Sequence, residues 1–313
     1  MTSSTNTTRT SDVQVTGKTS APEQLQLGTT QERSTMPLLG KLYRGITAPV
    51  RLLPDFLIIG TQRGGTTSLY HYLQAHPCLQ ATTTKEVHFF DRKYHKGLLW
   101  YRGHFPTVWE KSRAQQVQKQ AFVTGEASPS YLFHPHVYKR VAQTLPHVKL
   151  IVLLRNPVDR AYSQYYHSIE LGYESRSFEE AIHDEQERTA QEREKILKDA
   201  HYQSYAYKHH SYLTRGIYVD QLQAWMSFFP REQFLILKSE DFYADPAATL
   251  KQVYAFLNLP VTELQSQKKE YKQLNNTSYA KMDEALRTRL VEYFRPHNAR
   301  LYEFLGTDFG WNK

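Results

Sequence analysis

"PDFLIIGTQRGGTTSLYHYL" (residues 54–73) reads as an apolar run, a glycine turn and the start of an amphipathic helix. Asp55 to Ile59 has the composition of a strand buried on both faces. Thr66 to Gln74 carries Leu69 and Leu73 four apart, on one side of a helix. Between them, Gly64 and Gly65 permit positive φ and a close approach of the backbone to a ligand. The N–H groups of such a turn and the N-terminus of the following helix face an anion, and Thr66 and Thr67 add hydroxyl donors. The loop departs from the nucleotide-binding pattern G-x-x-x-x-G-K-[ST]. Gly60, Gly65 and Thr67 fit, but Thr66 occupies the lysine position and the basic residue is Arg63, inside the turn. That substitution argues against a P-loop kinase. A ligand-free turn capped by threonine explains the glycines but leaves the arginine and the paired hydroxyls without a reason.

"LIVLLRNPVDRAYSQYYH" (150–167) repeats the strand–turn–helix design. Arg155 ends the strand, Pro157 suits the first helical turn, and Ser163 lies two turns along. An arginine recognises phosphate bidentately, yet this stretch taken alone favours a surface pair of Arg155 with Asp159 and a merely helical Ser163; beside the glycine turn the phosphate reading prevails. Arg160 is left open between a phosphate contact and a solvated charge. In "KEVHFFD" (85–91), Glu86 and His88 are two apart and point the same way in an extended chain. A carboxylate and an imidazole so placed suit removal of a proton from an acceptor; a capping glutamate beside a packed histidine is the alternative.

Strands are expected at Phe122–Thr124, Lys149–Leu154 and Gln233–Leu237. Helices are expected at Pro135–Leu145, Val158–Leu171, Tyr218–Phe229, Pro246–Leu257 and Asp283–Leu305. This alternation implies an α/β class: a P-loop-like three-layer fold with a mainly parallel central sheet flanked by helices. Ligands of such sheets sit at the carboxyl ends of the strands, where both turns fall. Gly172 to Ala200 is charge-rich and receives no element. Residues 201–214, HYQSYAYKHHSYLT, are crowded with Tyr and His; adjacent His209 and His210 make a poor chelating pair, which favours packing or cleft lining over metal.

The 313 residues are 40% hydrophobic and 13% aromatic, with 22 tyrosines, enough for a sizeable core. The formal charge of +8 suits an anionic ligand or polymer, but no nucleic-acid motif is present. A non-catalytic module for an anionic polymer therefore stands as an alternative to an enzyme. Cys78, the single cysteine, makes no intrachain disulfide. No stretch approaches a membrane span, and the Ser-, Thr- and Gln-rich residues 1–35 lack a signal-peptide core and a composition able to fold. The expectation is a cytoplasmic protein with a disordered tail over 1–35 and a single domain over 36–313.

Six stretches, in order, carry a resemblance: "GTQRGGTTSLYHYLQAHP", "KEVHFFD", "YHKGLLWY", "GEASPSYL", "LIVLLRNPVDRAYSQYYH" and "LGTDFGW". Together they resemble the sulfotransferases, in the branch holding heparan sulfate sulfotransferases and their soluble bacterial relatives. The resemblance implies 3′-phosphoadenosine 5′-phosphosulfate as donor, no metal, and a carbohydrate or small-molecule acceptor bearing a hydroxyl or amine. It implies a donor site of Arg63, Gly64, Gly65, Thr66, Thr67 and Ser68 for the 5′-phosphosulfate, and of Arg155 and Ser163 for the 3′-phosphate. Further contacts are implied near Arg215 and Gly216 and within residues 268–281. Glu86 matches the family's base; His88 and Asp91 match neighbours that orient or bind. The family usually has lysine at Arg63; arginine keeps the charge but cannot yield a proton, so its implied role is to stabilise the leaving phosphate. Relatives acting on heparan sulfate also carry a lysine where this chain has Ala127.

Overall fold

The computed structural model describes residues 38–261 and 280–312, together with Met1. Met1 apart, the expected tail lies outside the described residues, as does most of the 268–281 segment. Five strands form one sheet: β1 Phe56–Gly60, β2 Leu79–Ala81, β3 Val123–Ala127, β4 Lys149–Leu154 and β5 Phe234–Lys238. Their order is β2-β3-β1-β4-β5, and every pairing is parallel.

The three layers follow from the alternation of side chains along β1 and β4. Leu57, Ile59, Leu150, Val152 and Leu154 face one side, against Val141, Leu222, Trp225 and Leu301. Phe56, Ile58, Ile151 and Leu153 face the other, against Leu69, Leu73, Leu250 and Val253. Each fully buried aliphatic or aromatic side chain contributes about 1.5–3 kcal/mol. The helices that supply these partners are Thr66–Gln74 and Pro246–Leu257 on one face, and Val137–Thr144, Tyr218–Met226 and Glu284–Leu305 on the other. Helix Pro157–Glu170 joins a third cluster, in which Val158 and Ala161 meet Leu290 and Phe294.

Two differences from the expected elements have physical causes. β2 is three residues long with Gln80 and Ala81 exposed at the sheet edge, so it has no apolar signature. The charge-rich stretch after Gly172 folds into helices Phe178–His183, Glu185–Thr189 and Glu192–Lys198. Part of its charge is bound inside the fold: Arg188 pairs with Glu174 at 2.7 Å, and buried Glu185 accepts from the amides of Leu213 and Thr214 at 2.6 and 2.8 Å. Among the described residues, no helix is long and apolar enough to cross a membrane.

The chain leaves β1 toward β2 on one side of the sheet and β4 toward β5 on the other. The crevice of a parallel sheet opens at such a reversal, which places it between the carboxyl ends of β1 and β4.

Candidate active site

The glycine turn is moulded onto β4. Thr61 N–H donates to the Leu153 carbonyl at 2.9 Å, and Gly64 N–H returns to the Thr61 carbonyl at 2.9 Å. A β-carbon on Gly64 would stand 2.5 Å from the Leu153 oxygen; on Gly65, whose φ is +96°, it would meet the Tyr243 hydroxyl at 2.6 Å. Neither position accepts a side chain. The Ser239 hydroxyl, at the start of the helix Ser239–Ala244 that follows β5, fixes the turn by donating to the Gly64 carbonyl at 2.6 Å.

The two turns prove to be one cleft. Arg63 adopts φ 67°, left-handed for a non-glycine residue, and its Nε donates to Ser163 Oγ at 3.1 Å. Arg155 Nη1 donates to the Arg63 carbonyl at 3.1 Å. The surface pairing of Arg155 with Asp159 is not adopted, because Asp159 pairs with Arg287 at 2.6 Å. Arg160 is the larger correction: it is fully buried, donating to Gln164 Oε1 at 2.6 Å and to the Tyr212 carbonyl, and is a structural strut rather than a solvated charge.

A third wall comes from residues 85–91. His88 has its Nε2 3.0 Å from Glu86 Oε2 and its Nδ1 2.9 Å from Asp91 Oδ2. A carboxylate at each nitrogen favours both acting as donors, and so favours the imidazolium form. Burial alone would lower the His88 pKa; hydrogen bonds to Asp91 and Glu86 outweigh it and raise the value. Glu86 shows the converse, burial opposing the charge while His88 and Lys85 hold the carboxyl down to about 2. Asp91 sits well below the usual carboxylate range, burial again being overcome by His88, Arg92 and the Ser130 hydroxyl.

Behind this wall lies Glu126, fully buried. Oε1 accepts from the hydroxyls of Tyr101 at 2.8 Å and Tyr131 at 3.0 Å. Oε2 accepts from Ser128 Oγ at 2.7 Å and the Val87 amide at 3.2 Å. Ser128 Oγ also accepts from the His88 amide at 3.3 Å. "GEASPSYL" thus holds the backbone of "KEVHFFD" in place.

The cleft between these walls is about 1020 Å³. Its far side carries Tyr202, Lys208 and His209, with Phe133 stacked on Tyr207 at 4.5 Å. Arg215 lies over the Phe133 ring at 4.4 Å, and donates to Gln62 Oε1 at 2.9 Å and to the carbonyls of Tyr207 and Lys208 at 3.2 and 3.0 Å. Arg63, Gly65, Thr66, Thr67, Glu86, His88, Arg155, Ser163 and Arg215 all line the cleft. Gly64, Ser68 and Gly216 do not; Gly216 packs where a β-carbon would approach Phe294 and Pro157 within 2.9 and 3.0 Å. The sequence reading passed over Lys85, whose Nζ donates to Thr67 Oγ1 and to Glu86 Oε1, each at 2.7 Å. The signal was a lysine directly preceding the candidate base.

A phosphate-type turn, a paired carboxylate and imidazolium, and a roomy cleft between them describe a group-transfer enzyme. The sulfotransferase domain model matches residues 53–307, and the chain belongs to the sulfotransferase family. It is 28% identical to the membrane-associated sulfotransferase kil1 of Dictyostelium discoideum, over 90% of this chain and 69% of that protein. It is 30% identical to heparan sulfate glucosamine 3-O-sulfotransferase 3A1 of Mus musculus, over 83% of this chain and 65% of that one. The chain thus spans about two thirds of the length of these curated relatives. A crystal structure of a sulfotransferase from Alicyclobacillus acidocaldarius superimposes with a TM-score of 0.62 at 29% identity, covering 84% of this chain and all of the other. Enzymes of this family take their sulfuryl group from 3′-phosphoadenosine 5′-phosphosulfate.

Proposed function

We propose that the protein transfers a sulfuryl group from 3′-phosphoadenosine 5′-phosphosulfate to a hydroxyl or amine of a carbohydrate or small-molecule acceptor, in line, with Glu86 as general base. The residues present suit the donor. The moulded turn leaves Gly65, Thr66 and Thr67 on the cleft, with Arg63, Arg155 and Ser163 beside them. The observation that carries the assignment of the base is the single ammonium of Lys85 touching both Thr67 and Glu86: the carboxylate lies next to the loop that receives the sulfonate.

In this reading the acceptor's oxygen or nitrogen bonds to sulfur as its proton passes to Glu86. The sulfur–oxygen bond to the 5′-phosphate breaks, and its electron pair leaves on the phosphate oxygen, where Arg63 stabilises the charge. Arg155 and Ser163 hold the 3′-phosphate. Support for a carbohydrate acceptor is the similarity to 3-O-sulfotransferases. Ala127 supplies no charge on that side, being fully buried against apolar neighbours, which counts against a glycosaminoglycan.

The test is Glu86→Gln, with turnover read as nucleotide product formed from donor and cell extract as the acceptor pool. Loss of a general base costs a factor on the order of 10²–10⁴, while affinity for 3′-phosphoadenosine 5′-phosphate stays unchanged. Turnover close to wild type would assign the proton to another group.

A further inference from the structure

Lys85 occupies a position that the donor and base roles leave unexplained. Its side chain is 30% exposed and lines the cleft. Nζ spans from Thr67, in the first turn of helix Thr66–Gln74, to the Glu86 carboxylate. An ammonium has three N–H donors; two point at these oxygens, and no third partner is recorded among the described residues. The backbone sets the position: the Ala127 amide donates to the Lys85 carbonyl at 3.4 Å, tying Lys85 to the end of β3 beside the cleft. On the far side of the loop, Arg63 is turned to Ser163 and Arg155 to the Arg63 carbonyl. Of these three cations, Arg63 and Arg155 are held on the Ser163 side of the loop and Lys85 stands beside Glu86.

We propose that Lys85 is a cation shared in turn by the base and the donor: it binds the sulfonate oxygens of the seated donor and, in doing so, releases Glu86 to take the acceptor's proton. The proposal rests on the donor and base assignments above. An ammonium on a flexible four-carbon stem changes oxygen partners readily, unlike a planar guanidinium held in a fork. A sulfonate at Thr67 offers it further acceptor oxygens within reach of its present contact. Its departure also matters to Glu86, because a neighbouring cation makes a carboxylate a weaker base. Seating the donor therefore strengthens the base, a coupling between two ligands' sites through one side chain. Lys85 keeps its own protons throughout; the transferred proton travels from acceptor to Glu86, and the electron pair of the broken bond stays with the 5′-phosphate.

The donor and its product differ by the sulfonate alone, so a pair of titrations isolates the contact without an acceptor. Calorimetry of the full chain with 3′-phosphoadenosine 5′-phosphosulfate and with 3′-phosphoadenosine 5′-phosphate is carried out for wild type, Lys85→Met and Lys85→Arg. Lys85→Met is expected to weaken donor binding on the order of tenfold to hundredfold and to leave product binding unchanged, which also shows that the variant is folded. Lys85→Arg restores most of the lost donor affinity. In the wild type near pH 5, donor binding takes up protons, seen as a dependence of the heat on buffer ionisation enthalpy. Product binding does not, and neither Lys85→Met nor Glu86→Gln shows the uptake. Equal weakening of both nucleotides would make Lys85 a brace for the loop, and unchanged donor affinity would remove the contact; either overturns the proposal. A wild-type chain that binds neither nucleotide refutes the donor assignment instead, an outcome separate from these.

Discussion

Replacing Glu126 with glutamine exchanges one buried acceptor for a donor of the same shape. Four donors converge on the carboxylate: two tyrosine hydroxyls on Oε1, and the Ser128 hydroxyl and the Val87 amide on Oε2. Whichever way the amide is turned, its NH₂ confronts two of them. A buried donor stripped of its acceptor costs about 1–3 kcal/mol. Hydroxyls can rotate and the Val87 N–H cannot, so the total is expected at about 2–4 kcal/mol. Against a native stability of about 5–15 kcal/mol, urea unfolding at neutral pH reads this easily as a lower midpoint at constant slope. Affinity for the product nucleotide is expected to hold, since the glycine turn is bonded to β4 and to Ser239. Burial pushes the Glu126 pKa above its ordinary value. If that carried the group to a neutral acid at pH 7, glutamine would imitate it; a cost below about 0.5 kcal/mol would refute the picture of a carboxylate saturated by four donors.

Arg155→Ala is expected to weaken 3′-phosphoadenosine 5′-phosphate by about one to two powers of ten while barely affecting the analogue without the 3′-phosphate, and Ser163→Ala to do the same more weakly; calorimetry showing equal losses for both nucleotides would make Arg155 structural. Chelation by EDTA is expected to leave turnover largely intact, because side-chain cations surround the glycine turn; abolition with rescue by magnesium would contradict the proposed mechanism. The folded His88 pKa is raised, so its contribution to stability is complete below about pH 6.5 and is lost as pH rises through the folded value. A thermal-melting series from pH 6 to 9 should show that decline in the wild type and a flatter profile in His88→Gln; identical profiles would show that the imidazolium is not the titrating group.

β1, β4 and the turns after them were legible because a strand covered on both faces is an unbroken apolar run, because the first turn admits no β-carbon at Gly64 and Gly65, and because Pro157 marks the helix start after β4. Helices Thr66–Gln74 and Pro246–Leu257 fall at the expected residues. Local pattern could not show how distant groups combine. Arg160 reads as a charge on a helix, yet its partners, Gln164 and the Tyr212 carbonyl, let it be fully buried. Glu126 owes its role to Tyr101, Tyr131 and Val87, which no spacing connects. Arg63 and Ser163, read as parts of two phosphate sites, share a hydrogen bond because β1 and β4 are neighbours in the sheet.

That neighbouring relation has a bearing on how the chain folds. Arg63 and Ser163 are 100 residues apart, Arg155 and the Arg63 carbonyl 92, Arg215 and Gln62 153. Each contact closes a long loop, whose ordering entropy must be met before the contact stabilises anything, and contacts of such range slow folding. The cleft between the two turns therefore exists only once the central strands have paired, and no fragment ending short of β4 can form it. On the proposed donor site, a nucleotide gripping both turns would act as a reversible crosslink across those loops, adding about 2.7 kcal/mol at a hundredfold excess over its Kd. Nucleotide affinity is thus a sensitive report on whether the whole sheet has assembled.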